Sequence, residues 1–256
     1  MNDPWHTLRR FTQARIAQGR AGCALPTDAV LELQLAHAYA RDAVLQPWNQ
    51  QGFAEQLAHI GLPVLNLVTA AADREQYLQR PDLGRCLSDD SRALLTDQIA
   101  SEMDVALIIT NGLSSAAVDT HGVALLTAIV SAYREVGLRV GPICLVANAR
   151  VALADEIGER VGGRLAVIIV GERPGLSAAD SLGIYLTYAP RIGNTDAERN
   201  CISNIRPPDG LSYQAAAAKL VYLSLEAGRL GLSGVGLKDD MQASYDYLAH
   251  LTAIDN

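Results

Sequence analysis

Three short runs of apolar, largely β-branched residues constrain this chain more than any other feature: Val105-Ala-Leu-Ile-Ile109, Gly141-Pro-Ile-Cys-Leu-Val146 and Leu165-Ala-Val-Ile-Ile-Val170. Runs of this length without polar alternation read as strands buried on both faces. Each is followed by a polar loop: Thr110-Asn-Gly-Leu-Ser-Ser115, Ala147-Asn-Ala-Arg-Val151 and Gly171-Glu-Arg-Pro-Gly175. The first two loops lead into helical patterns, one reaching about Val136 and the other containing Ile157 and Val161. A fourth strand, Leu182 to Tyr188, follows the third loop. Strands alternating with helices predict an α/β fold with a Rossmann-like, largely parallel sheet flanked by helices. Parallel order puts Asn111, Arg150 and Glu172 on loops at one edge, where open α/β sheets bind ligands. Taken alone, the Glu172-Arg173 loop reads as an ordinary surface ion pair. Three polar loops at one edge favour a binding site.

The first hundred residues read as mainly helical. Residues 5 to 22 carry Leu8, Phe11, Ile16 and four arginines, the pattern of a short amphipathic helix with a solvated basic face. Thr27 is placed to cap a helix over Ala29 to Leu45 that Pro47 stops. His37 on that helix has no second ligand-type residue on its face and reads as a core or surface histidine. Leu62 to Val68 is a candidate strand, Tyr77 to Gly84 a turn-rich segment, and Asp90 to Ala100 a further helix. Near the end, Ser212 is placed to cap a last long helix, and Gly231-Leu-Ser-Gly-Val-Gly236 reads as its C-cap and turn. The chain divides on this pattern into a helical region over 1–100 and a Rossmann-like α/β domain over 101–256.

A chain of 256 residues can bury a sizeable core, and its formal net charge of -7 argues against a nucleic-acid partner, which needs a basic face. No stretch reads as long enough to span a membrane, so no membrane partner is expected. Met1-Asn-Asp-Pro-Trp5 lacks the apolar run of a secretory signal, which favours the cytoplasm. Cys23, Cys86, Cys144 and Cys201 are scattered, without the clustering of a zinc site, and are expected to be small buried hydrophobes. No G-x-G-x-x-G follows a strand, and neither a Walker loop nor a G-x-S-x-G elbow is present. Asp119-Thr-His-Gly122 has the wrong glycine spacing and the wrong setting, inside a helix, for the D-x-H-x-x-G of cobalamin proteins. No nucleophile-base pair is assembled, so no catalytic residue and no metal ligand is assigned. The chain reads as a binding subunit rather than a complete catalyst.

Gly171-Glu-Arg-Pro-Gly-Leu176, Asp180-Ser-Leu182, Tyr188-Ala-Pro-Arg191 and above all Asp196-Ala-Glu-Arg-Asn-Cys-Ile-Ser-Asn-Ile205 resemble the small (light) subunit of ethanolamine ammonia-lyase. So do Gly19-Arg-Ala-Gly22, Arg80-Pro-Asp-Leu-Gly-Arg85, Asn111-Gly-Leu-Ser114 and Arg150-Val151. The matches run in order from about residue 8 to residue 239, nearly the whole chain. The sequence departs from some family members in lacking their longer N-terminal extension and in carrying a short tail after Asp240. The resemblance implies a subunit of an adenosylcobalamin-dependent lyase that converts ethanolamine to acetaldehyde and ammonia. It implies a hetero-oligomer in which the large subunit carries the radical chemistry and the small one covers the cofactor between them, so that the lyase is active only with both. It further implies cofactor contacts at Val151, Glu172 and Cys201. A cytoplasmic location follows, with enclosure in a bacterial microcompartment left open. The competing expectation is a free-standing α/β protein that binds a nucleotide or phosphate at the same strand edge.

Overall fold

The computed structural model describes residues 3–96 and 103–241. Six strands form one sheet: β1 (Val64–Val68), β2 (Val105–Thr110), β3 (Val140–Ala147), β4 (Leu165–Gly171), β5 (Leu182–Tyr188) and β6 (Arg199–Ile205). Their order is β1-β3-β2-β4-β5-β6. The first four are parallel to their neighbours. Strands β2 and β4 are buried along their whole length, as their unbroken apolar composition predicts. The α/β class with a largely parallel, helix-flanked sheet is therefore correct, and the helical N-terminal portion contributes β1 to it.

Parallel order ends at β5, which pairs antiparallel with β4, and β6 pairs antiparallel with β5. Only residues 172–181 join β4 to β5, and they hold no helix. A parallel return needs a crossover of a dozen or more residues. The polar Asn200, Cys201, Ser203 and Asn204 hide β6 from an apolar pattern, because an edge strand keeps part of its surface in water.

The helices are α1 (Thr27–Leu45), α2 (Gln50–Gln56), α3 (Arg74–Gln79), α4 (Asp89–Thr96), α5 (Ser115–Ala117), α6 (Val123–Glu135), α7 (Leu153–Val161) and α8 (Tyr213–Leu230); a π turn over Val118–Gly122 joins α5 to α6. One sheet face is covered by α6 and α8, whose Leu125, Ile129, Tyr133, Leu220 and Leu223 share one core cluster with Ile184 and Ile202. On the other face α4 and α7 bring Leu95 and Ile157 against Ile108 and Ile168. Contrary to the sequence expectation, one helix, Ser115–Glu135, is long and apolar enough to cross a membrane, but its window is mostly buried in the core beside α8.

Several local expectations need correction. Residues 5 to 22 form only a 3-10 turn, His6–Phe11, with none of its residues buried. A helix that short, with Leu8 and Phe11 left exposed, is marginal in water. Thr27 is the first residue of α1 rather than its cap, and His37 is exposed. Helix α3 replaces part of the predicted turn at Tyr77, capped by Asp73, whose Oδ1 accepts from the Gln76 amide at 2.8 Å. Ser212 does cap α8, accepting from the Ala215 amide at 3.2 Å, and Gly231 ends it at φ 70°. Of the cysteines only Cys144 is buried, its thiol pushed up to about 12; Cys23, Cys86 and Cys201 are exposed. Residues 97–100 of the predicted Asp90 to Ala100 helix, and the tail after Met241, lie outside the described residues.

Glu156 ties α4 to α7. Its carboxylate accepts from Arg92 Nε at 2.7 Å, the Leu87 amide at 2.9 Å and Arg160 Nε at 3.3 Å. Burial pushes its pKa up, but the bonds from Arg92, Leu87 and Arg160 outweigh that and hold it below the ordinary carboxylate value. A depressed carboxylate stabilises the fold above its unfolded pKa of about 4.3 and loses that contribution as pH falls through the folded value. Glu156→Gln is therefore expected to lower the unfolding free energy at pH 7 by about 1–3 kcal/mol in urea titrations. The gap between variant and wild type should close as the pH is taken below about 4.

Candidate functional site

The loops after β2, β3 and β4 meet at one edge, as parallel order requires. Asn111 Oδ1 accepts from the Asn148 amide at 2.7 Å, and Thr110 Oγ1 accepts from the Ala149 amide at 3.1 Å, which stitches the first two loops together. Arg74 donates to the Gly112 carbonyl at 2.6 Å and to Asn148 Oδ1 at 3.0 Å. Burial lowers its pKa. Ser114 Oγ donates to the Ala179 carbonyl at 2.8 Å, and the Leu113 amide to the Gly171 carbonyl at 2.9 Å, fastening the third loop to the first. A side chain at Gly171 would strike the backbone carbonyls of Asn111 and Ser114, so this close approach requires glycine.

Glu172 leaves this junction and turns toward β6. Its carboxylate accepts from Ser203 Oγ at 2.5 Å, Ser181 Oγ at 2.6 Å and the Asn204 amide at 3.3 Å. Glu172 thus ties both ends of its own loop to the edge strand. Gly183 on β5 leaves the room, since a Cβ there would lie 2.8 Å from Glu172 Oε1.

On β5, Leu182, Ile184 and Leu186 point into the core under α8, so Gly183, Tyr185 and Thr187 point to the other face. Helix α7 packs on β2 and β4 there, and Cys201 and Ser203 on that face of β6 stay exposed. The result is an open shelf beside α7. Tyr185 is its centre: it pairs across the ladder with Cys201 and shares a core cluster with Val151. Two adjoining hollows flank Tyr185, of about 400 and 470 Å³, and both are bordered by Arg150 and Val151. Glu172 and Ser203 line the first, and Arg85, Asp196 and Arg199 the second.

Val151, Glu172 and Cys201, far apart in sequence, therefore surround one tyrosine. Burial, with Cys201 and Glu172 beside it, pushes the Tyr185 hydroxyl above the ordinary phenol range. Burial also raises the Cys201 thiol, against the opposing contact with Tyr185. Both groups stay neutral near pH 7. They suit contact with a ligand rather than nucleophilic attack or metal ligation, which needs the thiolate. Among the described residues no group of three or more His, Cys, Asp or Glu is placed to hold a metal ion.

Under the second hollow lies a buried ion pair. Arg199 Nη1 contacts Asp155 Oδ1 at 2.7 Å, with both side chains 2% exposed, and Arg199 Nε reaches Asp196 at 3.3 Å. It joins β6 to α7. The sequence pattern singled out Glu172 and Arg150 but passed over Tyr185, Ser181 and Ser203. The alternation of β5 carried the signal for Tyr185, since a residue between Ile184 and Leu186 must face away from their core. His121 belongs elsewhere: its Nδ1 lies 2.8 Å from the Tyr213 hydroxyl between the π turn and α8.

An α/β sheet with a polar-rimmed, half-walled shelf at its strand ends has the form of a ligand site of the open α/β class. Residues 2–238 match the family model for the ethanolamine ammonia-lyase light chain (EutC). A relative from Ralstonia nicotianae, named ethanolamine ammonia-lyase small subunit, is 54% identical over 240 residues, covering 93% of this chain and 88% of the relative. Proteins of the same name from Pseudomonas fluorescens SBW25 and Azotobacter vinelandii are 51% and 52% identical, each over 94% of this chain and over 88% and 90% of their own length. The chain belongs to the ethanolamine ammonia-lyase light chain family. It is similar throughout to small subunits of that lyase.

The Glu172 clamp can be tested without any ligand. Gly183→Ala is expected to displace the carboxylate from Ser203 and cost about 1 kcal/mol in urea unfolding. Adding Ser203→Ala should then cost nothing further, whereas full additivity of the two losses would show that the clamp survives the added methyl.

Proposed function

We propose that this chain covers adenosylcobalamin in an ethanolamine ammonia-lyase, converting ethanolamine to acetaldehyde and ammonia only when assembled with the large subunit. The supporting observation is the convergence of Val151, Glu172 and Cys201 on the open shelf around Tyr185. The shelf suits the cofactor's chemistry. A corrin offers a broad apolar plane fringed by amides, and here an aromatic ring, a valine and a neutral thiol lie beside a carboxylate acceptor. An ionised carboxylate has about four lone-pair positions. Three donors already reach Glu172, which leaves room for one amide or hydroxyl of the ligand.

When bound, the cofactor supplies cobalt–carbon homolysis, and this chain supplies placement and exclusion of water. His121 is buried between the π turn and α8, with Nδ1 on the Tyr213 hydroxyl and Nε2 3.5 Å from Asp180, and it lines neither hollow of the shelf. An open trench cannot bury most of a large ligand, which fits a site whose second wall comes from another chain. Helix α1 also carries an apolar stripe, Leu31, Leu35 and Tyr39, exposed by 58, 53 and 60%, as expected of a chain that works within an assembly. A cytoplasmic setting accords with this role.

Visible-absorbance titration of adenosylcobalamin provides the test, with this chain alone and with the large subunit. Tight binding and ethanolamine-dependent ammonia release are expected only with both. Absence of binding in either case would favour a free-standing nucleotide- or phosphate-binding protein instead. In the assembled enzyme, Glu172→Ala is expected to weaken cofactor binding roughly tenfold or more, the loss of one charge-assisted hydrogen bond. An unchanged affinity would remove Glu172 from the contact.

A further inference from the structure

The three arginines that border the second hollow, Arg85, Arg150 and Arg199, take no part in the contacts proposed above. Their three guanidinium groups are not equivalent. Arg199 is neutralised twice, by Asp155 at 2.7 Å and Asp196 at 3.3 Å. Arg85 makes no ion pair and no side-chain hydrogen bond among the described residues. The acid nearest to it in sequence, Asp82, is held by Arg80 at 2.6 Å. Arg150 stacks on the Tyr77 ring, 4.3 Å from its centroid, and makes one long bond, 3.3 Å, to the Tyr77 carbonyl. Its Nε is buried with no hydrogen-bond partner. Two uncompensated arginines therefore share one cavity in a chain whose net charge is -7.

Backbone bonding brings the two residues together. The Arg150 amide donates to the Gly84 carbonyl at 2.8 Å, so the residue before Arg85 is bonded to Arg150. Gly84 permits the contact, since a Cβ there would lie 2.8 Å from the Tyr77 ring and 3.1 Å from Arg150 Cγ. At the same wall the amides of Val151 and Ala152, just before α7, take no acceptor among the described residues. Paired guanidinium forks beside free amides match the oxygens of a phosphate better than any neutral group.

The geometry points to Arg85 and Arg150 as a phosphate-binding pair that holds the phosphodiester of adenosylcobalamin's nucleotide tail, while Tyr185 and Glu172 meet the corrin. The inference rests on the cobalamin assignment above. It divides the shelf into an amide-reading half at the strand ends and an anion-reading half beside α7.

Three ligands separate the two ideas in absorbance titrations of the assembled two-subunit enzyme: adenosylcobalamin, adenosylcobinamide phosphate, and adenosylcobinamide, which lacks the phosphate. Arg85→Gln is expected to weaken the first two about tenfold and leave adenosylcobinamide unchanged. Arg85→Lys, which keeps the charge but not the fork, should recover part of the loss. Arg85 is exposed and carries no structural contact, so the variant is expected to fold normally. Equal weakening of all three ligands, or of none, would overturn the phosphate site while leaving the cobalamin assignment standing. A wild-type enzyme that binds none of the three would overturn both.

Discussion

The ten residues between β4 and β5 decide what this protein can do. They are too few for a crossover helix, so β5 must return antiparallel, and β6 with it. A βαβ unit would have laid another helix on the sheet. Without one, α7 covers only the parallel strands, and Tyr185, Cys201 and Ser203 stay uncovered beside it. The open shelf is thus a consequence of connection length. The same short loop carries Glu172 at its start and Ser181 at its end, and the hydrogen bond between them closes it.

Glu172 is a clamp, and on the reading proposed above it is also a ligand contact. As a clamp it joins the β4–β5 loop to the edge strand through Ser181, Ser203 and Asn204. For the proposed contact it retains one free acceptor position. The two are compatible because oxygens already oriented by three donors need little further ordering when a fourth arrives, which lowers the entropic cost of binding. Removing the side chain affects both at once, whereas Gly183 probes the clamp through the space that the carboxylate occupies.

Much of this was legible in the sequence, for identifiable reasons. Strands β2, β3 and β4 announce themselves by unbroken apolar runs, because both their faces are covered. Parallel order then puts Asn111, Arg150 and Glu172 at one edge before any coordinates are known. Strand β6 was not legible as a strand, since an exposed edge tolerates Asn200, Cys201, Ser203 and Asn204. Cys201 entered through the family resemblance alone. The N-terminal segment misled for the opposite reason: Leu8, Phe11 and Ile16 have helical spacing, but periodicity does not provide a surface to pack on, and in the structure they remain outside the core. Exposure of Cys23 has the same origin, whereas Cys86 is exposed because its neighbour Leu87 takes the inward-facing place in that extended segment.

The electrostatics of the shelf follow from how its charges are paired. Arg199 and Asp155 are both almost fully buried, a placement costly for either charge alone and tolerable only because each satisfies the other. That pair makes the floor of the trench rigid and electrically quiet. Tyr185 and Cys201 above it stay neutral near pH 7, since both ordinarily titrate above it and both are shifted further up. The charges left over are Glu172, Arg173 and Arg150 beside the first hollow and Arg85 with Arg150 beside the second, with the apolar Val151 and the Tyr185 ring between them. A symmetric or uniformly charged ligand would gain little from that arrangement. A large molecule with hydrogen-bond donors on one part and an anionic group on another would match it in one orientation better than in the reverse.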